Sequence, residues 1–273
     1  MLTKAQIKAT LSSVGLRPGD HLLVHSSLRS VGPIEGGPDA LLDALLEACG
    51  SEGTLAMPAF NYRRYLPFPH FDARTTPGRT GALTEIFRQR PETRRSLHPT
   101  HSLTAQGKRA SEFLADHYEF PAFGIGSPLD RLAQADAYVL LLGVTHLANS
   151  CIHIGEARAD RKKFYWEEGP LPIVNMLMPD GKVIPHQLDC SASCSMAFNA
   201  IEYPMRRKNL ITDLILGEAL CFLMKGRDVL ETVVEMISKE PDALLCNRPT
   251  CRPCFMTRRY ALDHPVGISP AER

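Results

Sequence analysis

His153 and Glu156 stand three residues apart in the stretch Asn149–Asp160, shortly after the apolar run AYVLLLGV. On a helix, side chains at that spacing share a face. Asp160 would lie one further turn along the same face. Cys151 is two residues from His153 and points elsewhere, so a cysteine–histidine nucleophile pair is geometrically poor. A metal site built on His153 would need a third ligand from a distant part of the chain. Two readings survive: a general base with an acid beside it, and a polar helix face carrying a partly buried histidine. Spacing alone does not separate them.

Three further stretches carry residue types that could do chemistry. VHSSLRSVGPIEGG, residues 24–37, reads as a buried strand that breaks into a loop of serines and glycines ahead of a helix. Open α/β sheets bind ligands beyond the carboxyl ends of their strands, and backbone N–H groups with hydroxyls there can hold phosphate or amide oxygens. The stretch is neither a Walker A loop nor a dinucleotide fingerprint, and its spacing favours an ordinary strand-to-helix connection. SLHPTHS holds His98 and His101, but Pro99 turns the backbone after His98 away from helix, so a structural or substrate-contacting histidine fits better than a metal pair. Last, Cys246, Cys251 and Cys254, with Cys190 and Cys194 upstream, offer thiols for a structural zinc. The spacing is suggestive rather than diagnostic, and the preferred reading is reduced cysteines without metal.

The elements that must position these residues follow from periodicity and punctuation. Thr3 and Gln6 form a capping-box pattern for a first helix ending near Gly15. HLLVHS reads as a strand, DALLDALLEACG as a helix stopped by Gly50, and GTLAMPAF as a second strand, which makes a parallel pair the natural arrangement. Residues 61–78 are Pro-rich and aromatic and read as a long loop. AYVLLLGV is apolar throughout, as in a sheet covered on both faces. The stretch after it should be helical from Asn149 or Ser150 through Asp160. LPIVNMLMPDGKVIPHQL predicts a hairpin around Pro179–Gly181, and helices are expected at 195–208 and 226–240 around the apolar segment GEALCFLM.

Composition sets outer bounds. The chain has 273 residues, 44% of them hydrophobic, and a formal net charge of +1. That balance suits a folded core and gives no electrostatic case for nucleic acid or an anionic membrane as partner. The N-terminal stretch is polar and amphipathic rather than a secretory signal, so the protein is expected in the cytoplasm, with its eight cysteines not committed to a disulfide framework.

Taken in order, GDHLLVHSSLRSVGPIEGGPDALLDALLEACGSEGTLAMPAF, RRSLHPTHSLTAQG, GIGSPLDRL and LLLGVTHLANSCIHIGEARAD resemble the aminoglycoside 3-N-acetyltransferase family, antibiotic acetyltransferases unrelated in fold to the GNAT enzymes. The resemblance covers most of residues 15–160. It implies an α/β fold with a central mixed sheet flanked by helices and a C-terminal hairpin-bearing portion. It implies one acetyltransferase domain over residues 1–273, with residues 241–273 as a Cys-rich C-terminal element. The implied reaction is acetyl-CoA-dependent N-acetylation of the 3-amino group of a 2-deoxystreptamine antibiotic, an antibiotic-resistance activity.

Carried over by position, the family's catalytic histidine falls on His153 and its partner glutamate on Glu202. The coenzyme A groove falls on Ser26, Ser27, Leu28, Val31, Gly32, His98 and Ser102. Tyr62, Glu156, Asp160 and Asp189 are then expected to meet a small polycationic substrate. Attack would be direct, with no acyl-enzyme. The Cys-rich tail departs from the clinical resistance enzymes and leaves room for another amine-bearing acceptor. A zinc-dependent hydrolase, or a zinc-stabilised protein, built on His98, His101, His153 and the cysteines is the competing class. A non-catalytic binding protein for coenzyme A or aminoglycosides is the competing non-enzyme class.

Overall fold

A computed structural model describes residues 1–61, 70–191 and 193–264. Its elements, in chain order, are α1 (Lys4–Ser13), β1 (His21–Ser26), α2 (Leu28–Val31), α3 (Gly37–Cys49), β2 (Thr54–Pro58), β3 (His70–Asp72), α4 (Ala82–Gln89), β4 (Arg94–Arg95), β5 (Leu103–Gly107), α5 (Ala110–Leu114), α6 (Pro128–Gln134), β6 (Tyr138–Leu142), α7 (Cys151–Arg158), β7 (Ile173–Leu177), β8 (Val183–Gln187), α8 (Glu202–Arg207), β9 (Thr212–Leu216), β10 (Ala219–Lys225), α9 (Gly226–Lys239) and α10 (Arg252–Asp263). The architecture is mixed α/β, as expected.

A seven-stranded sheet in the order β4-β5-β2-β1-β6-β10-β9 forms the centre. β1 pairs in parallel with both β2 and β6, while β5 and β10 flank that trio antiparallel. The apolar character of β6 has a simple cause. Val139 and Leu141 join one core with Leu23, Ile152, Ile154 and Val233, whereas Leu140 and Leu142 join the other with Leu22, Val24, Leu41 and Leu45. Both faces of the strand are covered, so alternation with polar residues has no place in it.

Departures from expectation have local reasons. Part of the long loop at 61–78 is β3, which pairs in parallel with β7 and extends the β7–β8 hairpin into a separate three-stranded sheet. The helix expected at 195–208 is a 3-10 turn over Phe198–Ile201 followed by the short α8; the backbone at Cys194 and Ser195 is not helical. The helix carrying His153 ends at Arg158 rather than Asp160. Asp160 adopts φ 52°, the Arg161 N–H donates to the Glu156 carbonyl, and the Asp160 N–H donates to the Ala157 carbonyl. That is a Schellman stop with aspartate in the left-handed position usually given to glycine. It folds the chain back over the last turn of α7.

Candidate active site

The carboxyl ends of the three parallel strands open onto one cavity of about 310 Å³. β1 contributes His25 and Ser26, β2 contributes Pro58, and the segment after β6 contributes Leu147–Ser150 before α7 brings in His153. This is where an open α/β sheet is expected to hold its ligand. The Asn149 side chain accepts the Cys151 N–H at 3.2 Å and so caps the start of α7.

His153 is held on three sides. Its ring stacks on Phe123, with centroids 5.0 Å apart and planes at 15°, and meets the Phe198 ring edge-on at 4.7 Å. Its Nδ1 lies 2.8 Å from Glu156 Oε2, and both residues are buried. A carboxylate can only accept, so Nδ1 carries the ring proton and Nε2 keeps its lone pair. Burial and the Lys163 charge lower the His153 pKa, against the opposing pull of Glu156. The ring is therefore neutral at neutral pH and able to take a proton.

Glu156 is itself saturated. Its Oε2 also lies 3.0 Å from Lys163 Nζ, and its Oε1 is 3.1 Å from Arg161 Nη1. Burial pushes its carboxyl upward, but Lys163, the His153 hydrogen bond and Arg161 outweigh this and hold it well below the usual carboxylate range. Lys163 also donates to the Ser191 carbonyl at 2.7 Å, and Arg161 donates to the carbonyls of Pro241 and Ala243 at 2.7 and 2.6 Å. The fold-back at Asp160 is what brings both cations to the carboxylate. Gly155, between the two residues of the pair, lets α9 approach: a Cβ there would sit 2.5 Å from Val233 Cβ.

Several expected site residues lie elsewhere. Glu202 does not contact His153; its Oε1 accepts from Arg206 Nε at 2.8 Å on a partly exposed surface. The carboxylate at His153 is Glu156, which is buried with both oxygens already paired with protein groups. Asp160 is exposed and turned off the helix face by its positive φ. Asp189 accepts the Ala122 and Ser191 N–H groups and sits 3.6 Å from His98 Nε2, away from the cavity wall. Tyr62 lies outside the described residues.

Of the seven residues expected to hold coenzyme A, Ser26 lines the cavity. Ser27 Oγ accepts from Ser30, Leu28 packs against the core on the far side of the sheet from α7, Val31 is buried in that core, and Gly32 lies against Glu218. His98 is fully buried and accepts the Thr100 and His101 N–H groups at Nδ1; Ser102 donates to the Ala59 carbonyl. These last two residues support the wall rather than form it. Wall residues missed from sequence include Phe60, Thr80, Phe123, Ser193, Ser195 and Phe198. They come from four separate stretches, so no single spacing joins them. Arg161 and Lys163 did leave a trace, as a basic run following the acid of α7.

A family profile described as aminoglycoside 3-N-acetyltransferase matches residues 23–238. The chain belongs to the aminoglycoside 3-N-acetyltransferase family. It is an acetyltransferase, and acetyl-CoA is its co-substrate. It is 33% identical over 238 residues to aminoglycoside N(3)-acetyltransferase IV from Salmonella, covering 87% of this chain and 88% of that one. Among solved structures, a histidine-to-alanine mutant of aminoglycoside acetyltransferase AAC(3)-IVa in complex with gentamicin superposes with a TM-score of 0.83 at 31% identity, over 94% of this chain and 97% of that one. AAC-IIIb in a binary complex with CoASH superposes with a TM-score of 0.72 at 26% identity, over 87% and 96%.

The cavity of this acetyltransferase has unmet hydrogen-bonding capacity. Ser26 Oγ and His25 Nε2, both at the wall, are buried polar atoms without a hydrogen-bond partner among the described residues. Orphaned buried groups are rare in folded proteins, and a polar ligand atom would satisfy them. Burial lowers the His25 pKa to about 4, so the ring meets a ligand uncharged. No described helix is long and apolar enough to cross a membrane.

Proposed function

We propose that this enzyme acetylates the 3-amino group of a 2-deoxystreptamine aminoglycoside, with His153 as the general base and Glu156 as the residue that orients it. The observation carrying this reading is the buried 2.8 Å contact between His153 Nδ1 and Glu156 Oε2 at the wall of the cavity. Acetyl-CoA supplies the activated acetyl group. As the acceptor nitrogen takes that group, His153 Nε2 takes the proton the amine must lose. Glu156 fixes the tautomer and stabilises the imidazolium so formed, the role of the acid in a triad. The imidazolium then returns the proton to the departing thiolate, which leaves the ring neutral for the next cycle. Ser26 is the coenzyme A contact we assign, since its hydroxyl is unpartnered among the described residues.

The competing hydrolase finds no support in the geometry. Among the described residues, the group of His, Cys, Asp or Glu placed to hold a metal is a cysteine quartet, and none of the four lines the cavity. The test is release of free thiol from acetyl-CoA on adding aminoglycosides, with gentamicin-type and apramycin-type amines in the panel. Mass spectrometry should place the acetyl group on the 3-amino nitrogen. Thiol release that is independent of any added amine would overturn the reading.

A further inference from the structure

The C-terminal helix α10 has little to hold it. Its buried residues are Pro253, Cys254 and Thr257, while Phe255, Tyr260 and Leu262 are exposed. The small core beneath it consists of Cys194, Cys246, Cys251 and Cys254, with Ala197 and Leu245 packed against them. Four thiols bury little apolar area, and burial of apolar area is what ordinarily secures a helix. Hydrogen bonds from Arg252 to the Tyr165 carbonyl at 2.6 Å, from Thr257 to the Lys162 carbonyl at 3.1 Å and from Arg258 to Asp242 at 2.8 Å help, but they bury no apolar core.

The four sulfurs converge. All lie within 4.8 Å of one another, and none is in a disulfide. Cys194 Sγ and Cys246 Sγ are 3.7 Å apart. A disulfide would require about 2.0 Å, whereas two thiolates each about 2.3 Å from a tetrahedral zinc stand roughly 3.8 Å apart. The backbone N–H of Met196 donates to Cys194 Sγ at 3.5 Å. Such N–H···S bonds are the outer contacts that steady a metal-bound thiolate. Cys251 and Cys254 enclose the first turn of α10 with the two-residue gap common in structural zinc sites. Cys190, a candidate from sequence, stays outside the group.

We propose that Cys194, Cys246, Cys251 and Cys254 bind one zinc ion as a closed, four-thiolate structural site. Each thiol gives up its proton on binding. The fourth position is taken by protein, so no site is left for water or substrate. The ion ties a part of the chain that lines the cavity to one that steadies the His153–Glu156 pair from outside it. Ser193 and Ser195, on either side of Cys194, line the cavity, and Phe198 packs on His153. The Pro241 and Ala243 carbonyls, a few residues before Cys246, hold Arg161 at Glu156. Zinc thus replaces the missing core under α10 and fixes one wall of the active site.

The full-length enzyme, purified from zinc-supplemented cells without chelator, should contain one zinc per chain by elemental mass spectrometry. Cobalt exchanged into the site should give the visible absorption of a tetrahedral thiolate complex. Cys254→Ser should lose the metal, while Cys190→Ser should retain a full equivalent. Should Cys254→Ser fail to fold, titrating the wild-type protein with a mercurial should release zinc to a chromogenic chelator as four thiols react. Hydrogen exchange should then rise across 193–201 and 241–260. A wild-type protein that carries no stoichiometric zinc after anaerobic reconstitution overturns the proposal. So does disulfide pairing within the quartet, or a Cys254→Ser variant with undiminished zinc.

Discussion

Glu156 Oε2 sits 2.8 Å from His153 Nδ1, one helical turn further along α7, and the same oxygen lies 3.0 Å from Lys163 Nζ. The carboxylate therefore accepts from the imidazole and pairs with a buried ammonium. His153→Ala removes the proposed base without touching that ion pair. It should lower kcat by about 10²–10⁴-fold, the usual worth of a general base, and leave coenzyme A affinity unchanged by calorimetry. Turnover within a few-fold of wild type would rule out His153 as the base.

Glu156→Gln tests the orienting role. An amide can present its NH₂ to Nδ1 and favour the wrong tautomer, so kcat should fall by a margin comparable to His153→Ala. The residual activity should also show a shifted acidic limb. Glu156 raises the His153 pKa, so its loss lowers it. The limb of kcat/KM set by protonation of the base should move to lower pH. Glu202→Gln, by contrast, touches an ion pair on a partly exposed surface, worth about 0–1 kcal/mol, and should keep near-normal turnover. The two variants assayed side by side decide which carboxylate partners His153.

Removing a cation from the buried cluster should cost stability more than chemistry. Lys163→Met leaves Glu156 with one fewer compensating charge in a dry environment. Breaking a buried ion pair on one side typically costs about 3–5 kcal/mol. Denaturant unfolding should show a lowered midpoint, and an unchanged midpoint would mean that water already solvates the cluster.

Gly155→Ala should strain the contact between α7 and α9. The new methyl would stand 2.5 Å from Val233 Cβ. Overpacking of this kind costs about 1–3 kcal/mol, and here the displaced helix carries the His153–Glu156 pair. Both melting temperature and kcat should drop, and Val233→Ala in the same chain should restore part of each. Additive losses in the double variant would show that the two residues do not press on one another.

The enzyme should lose stability steeply in mild acid. Burial lowers the pKa of His25, His146 and His186 to about 4 and that of His101 to about 3, and it depresses His117 and His153 as well. An unfolded histidine titrates near pH 6.5. Each group therefore favours the folded state fully above that pH, and the contribution falls as pH drops toward the folded value. Calorimetric melting temperatures should be level above pH 7 and decline from pH 6.5 down to 4.

The parts legible in the sequence were those set by local pattern. The apolar run of β6, the β7–β8 hairpin and the shared face of His153 and Glu156 all follow from periodicity and turn chemistry. What the sequence did not disclose depends on where distant segments meet. Glu202 was assigned through a loosely matching stretch, while the acid that reaches Nδ1 was three residues from the histidine. Lys163 reaches Glu156 because Asp160 takes a left-handed backbone, which periodicity does not register. Cys194 lies 52 residues before Cys246, whose sulfur stands 3.7 Å from its own, so no local spacing joins them.

In the proposed mechanism the base, its orienting acid and the two cations that hold that acid all fall within residues 153–163, whereas most of the cavity wall is drawn from other segments, β1, β2, the residues after β6 and the segment around Cys194 among them. On that reading, proton transfer and acceptor selection are written on different parts of the gene. A substitution at Phe60, Thr80 or Ser195 would then reshape what the enzyme accepts while the proton-transfer unit stays intact, and one recombined segment would bring a new acceptor range without a new catalyst.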